Sequence, residues 1–275
     1  MTAPKRTRAA GSRRAAHRDQ GPMGMLYSML RLITRHISGF WVPLAAVIAL
    51  VTLAGALATA LMVLLASVVM QGFTQRFDES VLQTLEASRS PFLTEVMIEI
   101  TTIGSGVPLI LMVAIAALVL WLTHHRWSVA LLVFGSLGGT IVNRALKNYF
   151  DRPRPEVVDA VEQVTSLSFP SGHATSSFIV YGILAYIVSR LAAERAVRIA
   201  IWTIAGVMIL LVGFSRMYLG VHYPTDVAGG FLVGFAWVMV LASLMNAIRF
   251  LASRRPETRR EEEDLEEPGA PHAAR

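Results

Sequence analysis

The chain has 275 residues, of which 54% are hydrophobic and only 16% are charged, against roughly a quarter charged in soluble domains. This composition excludes an ordinary soluble domain and indicates an integral membrane protein. The sequence contains no cysteine, which excludes disulfides, thiolate chemistry and cysteine-bound metals, and its formal net charge of +6 is unevenly distributed.

The two ends of the sequence differ from its middle. Residues 1–38 are basic, rich in small residues and without apolar periodicity, which predicts a mostly disordered cytoplasmic tail. A basic DNA-binding arm is the alternative, but we expect no nucleic-acid partner. A secretory signal is not expected, because Val42–Met70 runs for 29 residues without a charge, whereas a signal core has about 7–15. Residues 251–275 predict a second charged, disordered cytoplasmic tail, and residues 39–250 the membrane core.

Six stretches in this core are apolar enough to cross a bilayer, which takes about 20 mostly apolar residues each. Between the first two stretches, apolar residues from Val81 to Met97 recur at helical spacing, which predicts one or two short interfacial helices. We therefore expect an all-α, polytopic membrane protein with six transmembrane helices. The predicted spans are Val42–Met70, Val107–Thr123, Trp127–Asn143, Ala174–Ser189, Ile199–Ser215 and Val227–Ile248.

The distribution of basic residues orients these spans. With the N-terminus inside, the inner segments hold 18 Lys and Arg residues and the outer segments hold 7. This bias follows the positive-inside rule and predicts a multi-pass protein of the cell (inner) membrane with both termini in the cytoplasm.

Five of the seven outer basic residues fall in just two places, where the orientation rule disfavours cations. A bound anion would explain them. For Arg144 and Arg152 the alternative is an ordinary interfacial contact with lipid phosphates. The five residues are Arg144, Lys147, Arg152, Arg154 and Arg216.

Three of these cations belong to segments that meet at the predicted outer edge of the membrane. Lys147 and Arg154 follow the third span, and Arg216 follows the fifth. An arginine offers a planar fork that matches phosphate bidentately, and a lysine offers a point charge. The sequence therefore predicts three fixed positive charges around one phosphate.

The stretch Pro170-Ser171-Gly172-His173 opens the fourth span. Proline cannot continue a helix backwards, and glycine allows a close approach of the backbone. The free N–H groups of a first helical turn form an anion cradle with a partial positive charge. The stretch is thus typical of a helix N-terminus directed at a bound anion.

His222 and Asp226 are four residues apart, with Pro224 between them. If the sixth helix begins near Tyr223, the proline falls in its first turn, where it is tolerated. The carboxylate then orients the imidazole, and an oriented imidazole aimed at a phosphate is a nucleophile. His173 is the candidate proton donor to the leaving oxygen.

Each of these residues alone has an ordinary structural explanation, such as a helix end closed by Ser215 or a loop shaped by Pro155 and Pro170. Together, the residues make a complete phosphate site. Their spacing resembles the signature motifs of the type 2 phosphatidic acid phosphatase superfamily, K-x6-R-P, P-S-G-H and S-R-x5-H-x3-D. The matching residues are Lys147, Arg154, Pro155, Pro170, Ser171, Gly172, His173, Ser215, Arg216, His222 and Asp226.

The resemblance implies a phosphatase that needs neither metal nor other cofactor and has an all-helical core similar to that of vanadium haloperoxidases. It implies His222 as the nucleophile that forms a phosphohistidine, Asp226 as its orienting partner, and His173 as the general acid and then base. It also implies that five residues hold the phosphate oxygens, with Pro155, Pro170 and Ser215 in supporting positions. The five are Lys147, Arg154, Ser171, Gly172 and Arg216.

A site at the outer lipid–water boundary favours a membrane lipid phosphate or diphosphate as substrate. The candidates are undecaprenyl diphosphate, phosphatidylglycerophosphate and phosphatidic acid. The alternatives are a non-catalytic protein that binds lipid phosphates, an anion transporter, whose site would be expected near the bilayer midplane, and, more remotely, a haloperoxidase.

Overall fold

The computed structural model describes residues 41–252, and every regular element in this range is an α-helix. The predicted all-α class is therefore confirmed. The predicted tails, residues 1–38 and 251–275, lie outside the described residues apart from Leu251 and Ala252, and the predicted domain boundaries stay predictions. The helices are α1 Trp41–Met70, α2 Gln75–Ala87, α3 Pro91–Thr102, α4 Gly106–Leu122, α5 Arg126–Phe150, α6 Gly172–Leu191, α7 Arg195–Tyr218 and α8 Pro224–Ala252.

The chain divides into two compact units, residues 1–49 and residues 50–275. The described part of the first unit, residues 41–49, is helical. The second unit contains the remainder of α1 and helices α2 to α8.

Five of the described helices are long and apolar enough to span a membrane, namely α1, α5, α6, α7 and α8. The predicted second span, Val107–Thr123, corresponds to α4, which has only 17 residues. It reaches the length of a span only together with α3, from which it is bent by 43°. The bend follows from the sequence Gly104-Ser105-Gly106, where Gly106 has a positive φ of 67° that favours glycine. Residues 41–252 thus contain five candidate spans, or six if α3 and α4 form one broken span.

Helix α6 lies at the centre of the second unit and packs against α5, α7 and α8. One core cluster joins α6 to α4 and α5 through Leu120, Leu132, Ile179 and Ile183. At Gly139 of α5, an added Cβ would overlap the side chain of Ile179, so glycine there allows α5 and α6 to approach closely. This close packing gives the N-terminus of α6 a fixed position.

Many large apolar side chains face outwards, particularly on α1, α4, α5 and α7. Leu50, Leu53 and Leu122 are each 67% exposed. A soluble protein rarely exposes apolar surface on this scale, whereas the lipid-facing side of a membrane helix requires it. The opposite arrangement, buried charges, occurs at the end of the unit where α6 begins.

Helices α2 and α3 pack on the connecting loops at this same end. Leu82 of α2 belongs to an apolar cluster with Val158 and Tyr223, and Met97 of α3 belongs to another with Tyr218 and Val221. These apolar clusters hold the loop of residues 151–171 and the turn of residues 219–223 against the ends of the long helices.

Candidate active site

The site is built where α5 and α7 end and where α6 and α8 begin. Hydrogen bonds join the end of α5 to the loop before α6, and the start of α6 to the start of α8. The Lys147 ammonium donates to the carbonyls of Leu167 and Ser168, and the Ser171 backbone N–H donates to the Asp226 carbonyl at 2.9 Å. The predicted convergence of three distant sequence segments is thus present in the structure.

His222 and Asp226 face each other in the buried centre of this site. Nδ1 of His222 lies 3.4 Å from Oδ2 of Asp226, and Nε2 of His222 lies 3.4 Å from Nη1 of Arg154. The same Asp226 oxygen also accepts a hydrogen bond from the Ser168 hydroxyl. His222 is 1% exposed and Asp226 fully buried, so both side chains are held by protein groups.

The local sequence explains why Asp226 points at this histidine. Gly220 has a φ of +75°, which lets the chain turn back after α7, and Pro224 begins α8 as predicted. Asp226 is the third residue of that helix, and its Oδ2 accepts the Tyr223 backbone N–H at 2.9 Å, as the acidic residue of a capping box does. The capping interaction therefore aims the carboxylate at the turn that carries His222.

His222 lies between the ends of α7 and α8. Burial lowers the pKa of His222 to about 3, against the opposing influence of the Asp226 carboxylate, which favours the protonated ring. The positive charges of Arg154 and Lys147 add to the lowering. The imidazole is consequently neutral at pH 7. A neutral ring with Nδ1–H directed at Asp226 has a lone pair on Nε2 available for attack.

Arg154 reaches the site from the loop between α5 and α6. Its Nε donates to the Ser166 carbonyl at 2.6 Å and its Nη1 to the Val221 carbonyl at 2.5 Å. Burial lowers the pKa of Arg154 to about 10, and the neighbouring charge of Arg216 contributes, opposed by Asp226 and Glu162. The guanidinium stays charged at neutral pH. Backbone carbonyls from two loops therefore fix one cation beside the His222 ring.

Arg216, at the end of α7, is 1% exposed. Its Nη1 donates to Thr101 Oγ1 at 2.6 Å and to Glu162 Oε2 at 2.9 Å. Within residues 41–252, the buried Arg216 Nε and Ser171 Oγ have no hydrogen-bond partner. Buried polar atoms without partners are costly, and two potential donors of this kind fit a phosphate oxygen as the partner they require.

Gly172 and Lys147 face each other across the start of α6. A Cβ at Gly172 would lie 3.4 Å from Asn143 Oδ1 and 3.9 Å from Lys147 Cε, which are ordinary contact distances, so the first turn of α6 lies next to the lysine stem. The Asn143 amide donates to Thr175 Oγ1 at 2.9 Å and to the Pro170 carbonyl at 3.4 Å. Asn143 therefore ties α5 to the Pro170 turn, a role that the sequence analysis missed.

His173 faces the junction of α3 and α4. Its Nε2 lies 2.5 Å from the hydroxyl of Ser105, the residue that precedes α4. Next to it is a cavity of about 310 Å³ that is also lined by Gly172, Asn143 and Ser176. The bend between α3 and α4 thus supplies the partner of the second predicted catalytic histidine.

The three predicted supporting residues occupy structural positions. Pro155 and Pro170 are buried in the loop before α6. The Ser215 hydroxyl donates to the Val212 carbonyl of its own helix at 2.7 Å, so it stabilises the end of α7 rather than facing the phosphate site.

The most prominent residue that sequence reasoning did not assign is Arg152. The alternative of an interfacial lipid contact is wrong for this residue, because its side chain is only 7% exposed. Its Nη1 lies 2.6 Å from Asp226 Oδ1 and its Nη2 lies 2.9 Å from Asp78 Oδ2. Arg144, by contrast, is exposed. The one feature of the sequence that indicated a role for Arg152 in the site was its position between Lys147 and Arg154.

No group of three or more histidine, cysteine, aspartate or glutamate side chains among residues 41–252 is arranged to hold a metal ion. Besides the carboxylates of Asp226 and Glu162, the polar groups that converge at the site are histidines, cations and neutral donors, and the cations and donors are the groups that bind an anion.

Within residues 41–252, apolar helices and a buried histidine–aspartate pair near three cations are together typical of a membrane protein with an anion-binding site. The family model of the PAP2 superfamily matches residues 128–250. Phosphatidylglycerophosphatase B of Bacillus subtilis (strain 168) is 36% identical over 174 residues, which cover 62% of this chain and 84% of that protein. Undecaprenyl-diphosphatase BcrC of the same organism is 32% identical over 127 residues, covering 44% of this chain and 61% of BcrC.

Solved structures agree with these similarities. The first transmembrane PAP2-type phosphatidylglycerolphosphate phosphatase from Bacillus subtilis superimposes with a TM-score of 0.67 at 30% identity, over 71% of this chain and 97% of that one. Aquifex aeolicus LpxE has a TM-score of 0.50 at 24% identity, over 62% of this chain and 95% of its own, and shares the fold. The chain belongs to the PAP2 superfamily and is a multi-pass membrane protein.

Proposed function

We propose that this protein is a membrane lipid phosphatase that hydrolyses a phosphomonoester or diphosphate through a phosphohistidine, without a metal ion. The observation that carries the proposal is the buried His222 ring between Asp226 and Arg154, together with two buried donors at the adjoining helix ends that have no partner among the described residues, Ser171 Oγ and Arg216 Nε. A nucleophile, its orienting carboxylate and an anion cradle at one place suit phosphoryl transfer.

In the first step, Nε2 of His222 attacks the phosphorus atom and a P–N bond forms. The bond from phosphorus to the leaving oxygen breaks, and protonated His173 transfers a proton to that oxygen. The ring of His222 becomes positive as the bond forms, and the Asp226 carboxylate stabilises this charge through Nδ1–H. Arg154, Arg216 and Lys147 bind the phosphate oxygens.

In the second step, neutral His173 takes a proton from a water molecule, whose oxygen attacks phosphorus. The P–N bond breaks, its electron pair returns to His222, and inorganic phosphate is released; the alcohol or the shortened phosphoester has already left in the first step. His173 is protonated again and can serve the next turnover. The hydroxyl of Ser105, 2.5 Å from Nε2, holds the ring in place between the two steps.

The cavities beside the site favour a lipid substrate. The cavity next to His173 shares Leu109, Ile110, Thr140 and Ser176 with a second cavity of about 300 Å³ between α4, α5 and α6. The second cavity continues along the helices and is lined mainly by apolar residues such as Val113 and Ile179. A groove that runs from a phosphate site along apolar helices suits a molecule with a charged head and a hydrocarbon chain.

The relatives and this groove support a lipid phosphate or diphosphate as the substrate. Phosphatidylglycerophosphate, undecaprenyl diphosphate and phosphatidic acid all combine a terminal phosphate with long hydrocarbon chains. The basic residues of the sequence favour an arrangement with both termini in the cytoplasm of a cell (inner) membrane and the site facing outside.

The test is an assay of phosphate release by the full chain, purified in detergent, from these three lipids with a chelator present. We expect release from at least one lipid, unchanged by the chelator. Vanadate should inhibit it, because vanadate adopts the trigonal-bipyramidal geometry of the transferring phosphoryl group. The matched control is Arg144→Gln, which removes an exposed charge on α5 and should keep full activity.

Two results would contradict the proposal. If no lipid releases phosphate while vanadate still binds, the protein is a lipid-phosphate binder. If the chelator stops release and magnesium ion restores it, the metal-free mechanism is wrong. An anion transporter is not favoured, because the charged cluster lies at helix ends and the centres of the candidate spans contain no charge.

Glu162 yields a separate prediction. Its carboxylate lies 2.9 Å from Arg216 Nη1 and would compete with the substrate phosphate for that guanidinium. Because Glu162 is 34% exposed, the ion pair contributes little, about 1 kcal/mol or less. Glu162→Gln should therefore lower KM by about two- to five-fold with little change in kcat, measured by steady-state phosphate release. A raised KM would show that Glu162 orients Arg216 for binding.

A further inference from the structure

Arg152 lies between two carboxylates at the end of the predicted phosphate site. It bridges Asp78 of α2 and Asp226 of α8, with distances of 2.9 and 2.6 Å. Both carboxylates are fully buried, and the guanidinium stacks on the Tyr223 ring with its carbon 4.1 Å from the ring centroid. The arginine therefore has a single position, set by two charges and an aromatic face.

The two carboxylate oxygens of Asp226 have different hydrogen-bond partners. Oδ1 is bound by Arg152, whereas Oδ2 faces His222 Nδ1 and accepts from Ser168 and the Tyr223 backbone. A carboxylate that can rotate could offer either oxygen to the imidazole. The Arg152 fork prevents this rotation, because turning Asp226 would break a charge-assisted hydrogen bond in a buried site.

Asp78 completes the arrangement from a different helix. Its Oδ1 accepts the Thr225 backbone N–H at 3.1 Å, and its Oδ2 accepts both the Thr225 hydroxyl at 2.6 Å and Arg152 Nη2. Arg152 Nη1 also donates to Thr225 Oγ1 at 2.9 Å. Asp78 thus binds the first turn of α8 one residue before Asp226 and fixes the arginine that holds Asp226.

We infer that Asp78 and Arg152 are positioning residues for the reaction, which act through Asp226 to hold its Oδ2 on the nucleophile His222. The inference rests on the proposed phosphatase function. Neither residue binds the substrate in this scheme. Their contribution belongs to the step in which His222 gains positive charge, so it concerns kcat and not substrate binding.

The competing explanation is that the buried pairs only stabilise the fold. Removing one member of a buried ion pair costs stability whether or not catalysis depends on it. The two explanations differ in kinetics. A structural role lowers the amount or stability of folded enzyme, whereas a positioning role lowers kcat of the folded enzyme and depends on the presence of Asp226.

The test uses Arg152→Lys, which keeps the charge but cannot form two hydrogen bonds in a fork. We expect kcat to fall about 10–100-fold with KM within about two-fold of wild type, by analogy with the loss of groups that orient metal-binding histidines. Arg144→Lys is the matched control, since it makes the same change at an exposed position, and it should leave both constants unchanged. Thermal unfolding in the same detergent reports the folded fraction.

A double-mutant cycle tests whether Arg152 affects kcat through Asp226 or independently of it. In an Asp226→Asn background the Arg152→Lys change should have less than about three-fold further effect on kcat, because the group it positions has been removed. If Arg152→Lys does not fold, Asp78→Asn provides the second variant, because the amide still accepts from Thr225. Asp78→Asn should lower kcat less than Arg152→Lys does and should leave KM unchanged.

Three outcomes overturn the inference, provided that the wild-type protein releases phosphate. The first is an unchanged kcat in folded Arg152→Lys and Asp78→Asn, and the second is a change in the KM of these variants without a change in kcat. The third is that Arg152→Lys lowers kcat by the same factor in the wild-type and the Asp226→Asn backgrounds. If the wild-type protein itself releases no phosphate, the proposed function has failed, and this inference fails with it for a distinguishable reason.

Discussion

We expect His222→Ala to abolish phosphate release while the protein still folds. We expect turnover to fall by more than about 10³-fold, since no neighbouring group can accept the phosphoryl group covalently. The fold should survive because Asp226 keeps its bonds to Arg152, Ser168 and the Tyr223 backbone when the imidazole is lost. The measurement is single-turnover phosphate release from the best lipid substrate, beside thermal unfolding of the same sample.

The control for this variant is His125→Ala, which removes an exposed histidine at the opposite end of α5. It should retain wild-type turnover. Mass spectrometry of acid-labile phosphate on the wild-type protein adds a direct test, because phosphohistidine should form in the wild type and not in His222→Ala. If His222→Ala keeps more than a few per cent of activity, the nucleophile is a different residue, with His173 the next candidate.

Asp226→Asn has the second largest expected effect. An amide at this position keeps the shape but cannot stabilise the positive ring that forms in the first step. In a serine hydrolase triad the corresponding change lowers turnover by about 10⁴. The loss here should be about 10²–10⁴-fold in kcat, because Lys147, Arg154 and Arg216 still bind the phosphate. KM should change little.

Arg216→Ala serves as the contrasting variant. It removes a phosphate partner in the ground state and in the transition state, so KM should rise and kcat should fall together. The comparison of the two variants by steady-state kinetics distinguishes orientation from binding. A rise in KM alone for Asp226→Asn would show that Asp226 contacts the substrate or only caps α8, and that the His222–Asp226 pair is not the catalytic unit.

The apolar helices and the cluster of histidine and basic side chains at their ends were predictable because each depends on a short stretch of sequence. Apolar runs of about 20 residues mark spans, and the motifs place Lys147, His173 and His222 at neighbouring helix ends. The second span was predicted too simply, since the bend at Gly104-Ser105-Gly106 divides it and is set by the backbone conformation of Gly106. Whether α2 lies at the membrane surface stays a prediction.

The supports of the site were not predictable, because they come from residues far apart in the sequence. Asp78 precedes Asp226 by 148 positions. It lies in an amphipathic helix, and the sequence pattern of that helix indicates a partly exposed surface but no contact with the site. Thr101 and Ser105 are ordinary polar residues of an apolar region, and only the packing of α3 and α4 on α6 and α7 reveals their partners. Burial, which no motif encodes, decides the role of Arg152.

The segment from α2 to α4 sets a lower limit on the length of a fragment that keeps the site intact. Residues 128–250, the part that the family model matches, contain every predicted catalytic and phosphate-binding residue. A fragment with these limits would nevertheless leave Arg152 without Asp78, Arg216 without Thr101 and His173 without Ser105. Any shortened version used for engineering or inhibitor screening must therefore begin before Gln75. Transfer of the three motifs to another helical scaffold would also require the segment from α2 to α4, which supplies these hydrogen-bond partners.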